Sequence, residues 1–229
     1  MRTHDSSRKR EGKDALYEQF ASVGKAMGNA KRFEILDILS QGPRTVERLA
    51  TEASVSIGNV SHHLQTLKAA RLVDSRKDGL YVTYRLADGI DALLDSVRGI
   101  AERHRADVER IYQTYFAAEE APEPHDKDAL LRRVRDGEAL VIDVRPPEEY
   151  LAGHLEGAVS IPLAELEQQL AQLPADKEIV AYCRGRYCLL AVEAVERLVQ
   201  QGYGAVRLEE SVQDFRRLGF RIVSDAGAA

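Results

Sequence analysis

A short stretch at residues 117–128, AAEEAPEPHDKD, constrains this chain more than any other feature. It carries two prolines and a run of charges without any hydrophobic period, so it reads as a linker. Upstream, apolar residues recur at helical spacing, interrupted once by a hairpin signal. Downstream, short apolar runs alternate with helical segments. A chain of 229 residues with two such textures reads as two small domains, each able to bury a core. The expected divisions are a polar, mobile arm over residues 1–14, a helical domain over 15–116, the linker 117–128 and an α/β domain over 129–225.

Charge follows the same division. Residues 1–118 hold 19 Lys+Arg against 16 Asp+Glu, a net of +3, and the remainder holds 13 against 21, a net of −8. Only the first half is suited to meet phosphates. No apolar run approaches the roughly 18 residues of a membrane span. The N-terminus, MRTHDSSRKREGKD, lacks the apolar segment of a signal peptide. A cytoplasmic protein is expected. The two cysteines, Cys183 and Cys188, are too few and too close for a disulfide framework, which points instead to thiol chemistry or to inert packing.

In the first half, Leu16, Phe20, Val23 and Met27 share one helical face, and a second helix runs from Ala30 to Leu39, before Gly42-Pro43. Thr45 opens a short helix through Glu52, and Ser56 is placed to cap a helix reaching about Ala70. On that helix Val60, Leu64 and Leu67 face inward, which turns Ser56, Gly58, Asn59, Ser61, His62 and Gln65 outward. Short hydrogen-bonding side chains at a helix N-terminus suit base edges in the major groove. The hairpin LVDSRKDGLYVTYRL places Arg76 and Lys77 at a basic tip. Each element alone could be an ordinary solvated face or loop; their ordered succession favours a winged helix-turn-helix that binds a double-stranded DNA operator. From Ile90 to Tyr115 one apolar stripe predicts a single long helix of about 40 Å, read as a homodimerisation helix over 90–116.

The runs KAMGNAKRFEILDILSQGPRTVERLA and SVSIGNVSHHLQTLKAARLVDSRKDGLYVTYRLAD resemble the ArsR family of winged-helix repressors, over about residues 20–116. The resemblance implies a homodimer on a roughly palindromic operator, released when an effector is sensed. Many members sense metals, yet the helix that often carries their thiolates reads TVERLA here, and His104 stands alone on the long helix. No metal site and no cofactor are expected.

In the second half the buried runs ALVIDV and EIVAY, alternating with helices, predict a parallel sheet covered on both faces. LVIDVRPPEEYLAGHLEGAVSIPL followed by IVAYCRGRYC resembles the rhodanese family, over about residues 126–223. By analogy Asp143, Arg145, Glu149 and His154 hold the loops around the site, and they read as surface salt bridges and caps. Cys183 ends a buried strand and precedes a helix, where loop amides, Arg184 and Arg186 would favour its thiolate and an anionic sulfur donor. Cys188 is either a packed apolar side chain or a resolving thiol. A Cys-x5-Arg phosphatase loop is disfavoured, because Leu189 stands where the arginine belongs. The loop departs from the frequent rhodanese pattern at Tyr187 and Cys188, and Leu208-Glu209-Glu210-Ser211 replaces a common Gly-Gly pair.

The expected function is a DNA-binding transcriptional regulator, a repressor, that senses reactive sulfur by persulfidation or sulfur bridging at Cys183. The alternative is an active thiosulfate or polysulfide sulfurtransferase tethered to a DNA-binding domain. Either takes a small sulfur donor (thiosulfate, polysulfide or persulfide), and no membrane partner is expected.

Overall fold

A computed structural model describes residues 2–79, 81–116, 127–174 and 177–224. The chain divides into two units inside one helix, after Ile100.

The first unit begins with α1 (Arg2–Met27), so the expected arm over residues 1–14 is helical from Arg2 onward. Its composition explains this: Arg, Lys and Glu are good helix formers, and Arg10 pairs with Asp14 one turn on. Of the predicted stripe, Val23 and Met27 pack on the core while Leu16 and Phe20 stay exposed. Asn29 caps α2 (Ala30–Ser40) by accepting from the Arg32 amide, and Arg32 reaches back to the Lys25 and Ala26 carbonyls that end α1. Then come β1 (Arg44–Thr45), α3 (Val46–Glu52) capped by Thr45, and α4 (Ile57–Ala69) capped by Ser56. Strands β2 (Val73–Asp78) and β3 (Tyr81–Leu86) form the hairpin, with Asp78 opposite Tyr81. Gly79 supplies the positive φ of 60° that the tight turn requires; Leu80 lies outside the described residues. The sheet order is β1-β3-β2, the wing of a winged helix-turn-helix. Arg44, buried beside Pro43, binds Glu52 at 3.1 Å and so ties β1 to α3.

The single long helix expected over 90–116 is instead two: α5 (Ile90–His104) and α6 (Ala106–Tyr115), broken at Arg105, whose backbone is extended at φ −126°, ψ 100°. The apolar stripe is not held along one continuous seam. His104 is exposed on it, and Tyr112 is drawn down to 2% exposure within the second unit. Residues 101–116, assigned from sequence to the helical domain, therefore belong with the α/β unit. The linker 117–128 falls largely on residues 117–126, outside the described residues.

The second unit continues with α7 (Lys127–Arg135), β4 (Leu140–Asp143), α8 (Pro147–Ala152), β5 (His154–Leu155) and β6 (Val159–Ser160). Residues 163–172 form three short helical turns, the middle one being α9 (Leu166–Gln169). There follow β7 (Ile179–Tyr182), α10 (Leu189–Gln200), β8 (Ala205–Leu208), α11 (Val212–Arg217) and β9 (Ile222–Val223). The four-stranded sheet is parallel with order β6-β4-β7-β8. Strand alternation sorts its side chains: Ile142, Ile179 and Ala181 pack with α9 and α10, whereas Val141, Val180 and Tyr182 pack with α7 and α11. Both faces are covered, and the loop that follows β7 emerges at the carboxyl ends of the strands.

Candidate functional site

On α4 the structure leaves Ser56, Gly58, Asn59, His62 and Gln65 exposed and Ser61 half-buried, opposite the fully buried Val60, Leu64 and Leu67. The Ser56 hydroxyl accepts from the Asn59 amide at 3.3 Å, which fixes the first turn of the helix. Lys68 donates to the Ser75 hydroxyl at 2.6 Å, joining the far end of α4 to β2. Arg76 and Lys77 are exposed at the wing. The neighbouring histidines divide. His62 faces out, while half-buried His63 has its Nδ1 buried without a hydrogen-bond partner in the structure. Burial and the nearby Arg32 push its pKa down, so His63 is held as the neutral imidazole.

The second site is the loop from Cys183 to Cys188, between β7 and α10. Tyr182 and Cys183 are consecutive, so alternation sends them to opposite faces of the sheet. Cys183 is 1% exposed and Cys188 half-buried. Gly185 holds φ at +111°, a conformation open to glycine, and the Cys188 amide bonds back to its carbonyl at 3.1 Å. The Cys183 thiol points at Cys188, 3.8 Å from its carbonyl oxygen.

Burial and neighbouring groups bear differently on the two thiols. Burial pushes the Cys183 pKa well above that of an ordinary thiol. Cys188 is pushed down to about 7, first by the neighbouring Cys183 thiol, then by the amides of Arg184 and Leu190 and the Arg184 charge. Amides do converge on Cys183, from Arg184 and Ala191, but desolvation outweighs them. Of the two thiols, Cys188 is the one its surroundings make more acidic. That residue occupies the N-cap position of α10 and makes no capping hydrogen bond of ordinary geometry, so its sulfur feels the nearby amides as partial positive charges.

The two arginines are likewise directed elsewhere than expected. Arg184 donates from Nε to both carboxylate oxygens of Glu149 at 3.1 Å, and Nη2 reaches Oε1 at 2.5 Å. Arg186 lies over the Tyr112 ring, its guanidinium carbon 3.8 Å from the ring centre, with Nη2 3.1 Å from Glu109 and Nε 3.6 Å from Glu209. Each guanidinium meets a carboxylate of the second unit, which offsets the charge it could offer an anionic donor.

Asp143, Arg145, Glu149 and His154 are not surface groups. The first three are 0–1% exposed and His154 is 4% exposed. Tyr182 donates to Asp143 at 2.7 Å, Asp143 binds Arg145, Arg145 also donates to the Gly153 carbonyl at 2.7 Å, and Glu149 holds Arg184. His154 stacks on Tyr150, with ring centres 3.5 Å apart, and its Nδ1 sits 2.8 Å from the Tyr150 carbonyl. This buried chain anchors the cysteine loop to the sheet.

Several residues around the loop escaped the sequence reading. Tyr112 donates to Glu209 and accepts from Arg207 at 2.7 Å; burial and Glu209 push its pKa up to about 12. Tyr187 donates to Glu102 at 2.7 Å, and Phe116 meets its ring at 6.0 Å. The one sequence signal was Glu209-Glu210 standing where the rhodanese pattern commonly has two glycines. Among the described residues, no group of three or more His, Cys, Asp or Glu side chains could hold a metal ion, and no helix is long and apolar enough to cross a membrane.

A winged helix-turn-helix joined to a doubly covered parallel sheet, with a cysteine loop at the strand ends, defines a two-part regulator. Residues 29–75 match the model for "Bacterial regulatory protein, arsR family" and residues 126–217 that for "Rhodanese-like domain". The chain belongs to the ArsR-type HTH transcriptional regulators that carry a C-terminal rhodanese domain. It is 42% identical over 220 residues to the HTH-type transcriptional regulator Rv0324 of Mycobacterium tuberculosis (strain ATCC 25618 / H37Rv), covering 94% of each chain. A sulfurtransferase of Allochromatium vinosum is 32% identical over 104 residues, 44% of this chain and 95% of that one. A solved homodimeric winged helix-turn-helix DNA-binding domain, fragment 1-100 of Mb0332 from Mycobacterium bovis, is 40% identical. That match covers 42% of this chain and 89% of the other, at a TM-score of 0.40.

Proposed function

We propose that this regulator is a cytoplasmic homodimer that represses from a double-stranded DNA operator and senses reactive sulfur through the thiol pair Cys183 and Cys188. The observation that carries the reading is the placement of two free thiols in one six-residue loop at the strand ends, with the Cys183 sulfur 3.8 Å from the Cys188 carbonyl and the Cys188 thiol the more acidic of the two. In the first step the Cys188 thiolate attacks the outer sulfur of a persulfide R–S–SH, forming Cys188–S–SH and releasing R–S⁻. The Cys183 thiol then attacks the Cys188 sulfur, expelling hydrogen sulfide, which carries away the thiol proton, and leaving a Cys183–Cys188 disulfide. Both thiols are oxidised and the sulfane sulfur is reduced to sulfide, so atoms and electrons balance.

On the DNA side, Asn59, Ser61, His62 and Gln65 read base edges, the amides around Ser56 and Gly58 meet phosphate, and Arg76 and Lys77 contact the backbone from the wing. Exposed Val97 and Ile100 on α5, with Leu16 and Phe20 on α1, supply apolar surface for a second copy.

The test is operator binding with and without inorganic polysulfide, for wild type, Cys183→Ser and Cys188→Ser. The reading requires a polysulfide response in wild type that is lost in both variants; an equal response in all three overturns it. The second reading, an active sulfurtransferase, is favoured by the similarity to the Allochromatium vinosum protein. It requires thiosulfate:cyanide turnover that disappears when a loop cysteine is replaced.

A further inference from the structure

The cysteine loop has two arginines with different attachments. Arg184 is bound to Glu149, itself fully buried on the sheet side. Arg186 and Tyr187, on the outer half of the loop, are held by the helices that precede the linker. Glu109 and the Tyr112 ring receive Arg186, and Glu102 receives the Tyr187 hydroxyl. Tyr112 is in turn fixed from beneath by Glu209 and Arg207. Tyr112 and Phe116 stack at 6.2 Å, and Tyr187 meets both edge-on. α6 therefore contributes side chains that complete the environment of a loop only a few residues from either cysteine.

We propose that the cysteine loop and the helices holding Glu102, Glu109 and Tyr112 form a clamp whose two sides report on each other. It rests on the sensor reading for its biological role, though not for its test. Bridging or capping Cys188 moves the backbone at residues 184–188, and Arg186 and Tyr187 must then leave Glu109, Tyr112 and Glu102. α6 loses the contacts that order it. Coupling of this kind is reciprocal: whatever loosens α6 must alter the reactivity of Cys188.

The experiment uses the full-length reduced protein. Hydrogen exchange is followed over residues 101–115 before and after alkylation of Cys188 with iodoacetamide, and after inorganic polysulfide, with mass spectrometry reporting each modification. Loss of the loop contacts is expected to raise exchange in this segment by about tenfold, the worth of one charge-assisted hydrogen bond. Tyr187→Phe, at an exposed site, should raise the same segment's exchange without any reagent and shift the pH midpoint of Cys188 alkylation. Unchanged exchange after quantitative modification of Cys188, with an unchanged midpoint in Tyr187→Phe, overturns the clamp and leaves the sensor reading standing. A rise with iodoacetamide but no reaction with polysulfide supports the clamp and overturns the sensor reading.

Discussion

The Arg145 guanidinium meets the Asp143 carboxylate at two points, Nε 2.9 Å from Oδ1 and Nη2 2.6 Å from Oδ2, with both side chains sealed from solvent. A buried ion pair adds little net stability, but removing one partner strands the other. Arg145→Met leaves the buried Asp143 carboxylate without its cation, while Glu149 keeps Arg184. It should destabilise the α/β unit by about 3–5 kcal/mol. Calorimetry of the full chain should show the transition of that unit falling while that of the winged-helix unit stays in place.

Cys188 is displaced down to about 7, from an ordinary value of 9, and Cys183 is displaced upward. A lowered pKa means the thiolate is populated above pH 7 and is lost as pH falls through it. Alkylation of Cys188 should therefore accelerate with pH and level off above about 7, while Cys183 stays unmodified. Cys183→Ala removes the largest cause of the displacement and should move the midpoint upward. Peptide mapping after timed iodoacetamide exposure measures both.

At the winged helix, base and phosphate contacts separate by their salt dependence. Arg76→Ala should weaken binding to operator and scrambled DNA alike and reduce the salt slope by about 0.9. Asn59→Ala should instead lower discrimination between the two by about 1–3 kcal/mol and leave the slope unchanged. Fluorescence anisotropy titrations at several salt concentrations distinguish the two behaviours.

Arg44 is buried against Glu52, which also receives Arg48 at 2.9 Å. Because Glu52 keeps that second partner, Arg44→Met should cost about 1–3 kcal/mol, less than the Arg145 substitution. The loss should appear in the winged-helix unit alone, read by thermal unfolding.

The sequence carried the elements whose signals are local. Ser56, Thr45 and the apolar triad Val60, Leu64 and Leu67 are capping and periodicity signals, and the structure puts each where those rules require. That the chain holds two folds was also legible from texture and charge, but the boundary expected at residues 117–128 stands after Ile100. What did not show was distance across the chain. The stripe from Ile90 to Tyr115 has the spacing of one helix, but Tyr112 is claimed by Arg207 and Glu209, residues 95 and 97 positions away. Arg184 and Arg186 look available beside a cysteine until Glu149 and Glu109 are found opposite them. The ionisation of Cys183 failed to follow from its amides for a related reason: desolvation depends on how deeply the strand end is covered, which no local pattern encodes.

Gly185 stands between the two arginines with its φ at +111°. One arm of the loop is moored to the sheet through Arg184 and the other to α6 through Arg186. The glycine is thus a fulcrum. The Arg186 arm therefore has a pivot beside it, and the Arg184 arm is backed by buried charges. The ion network that supports the sheet lies wholly on the Arg184 side of that pivot, and the Arg186 side ends in half-exposed contacts.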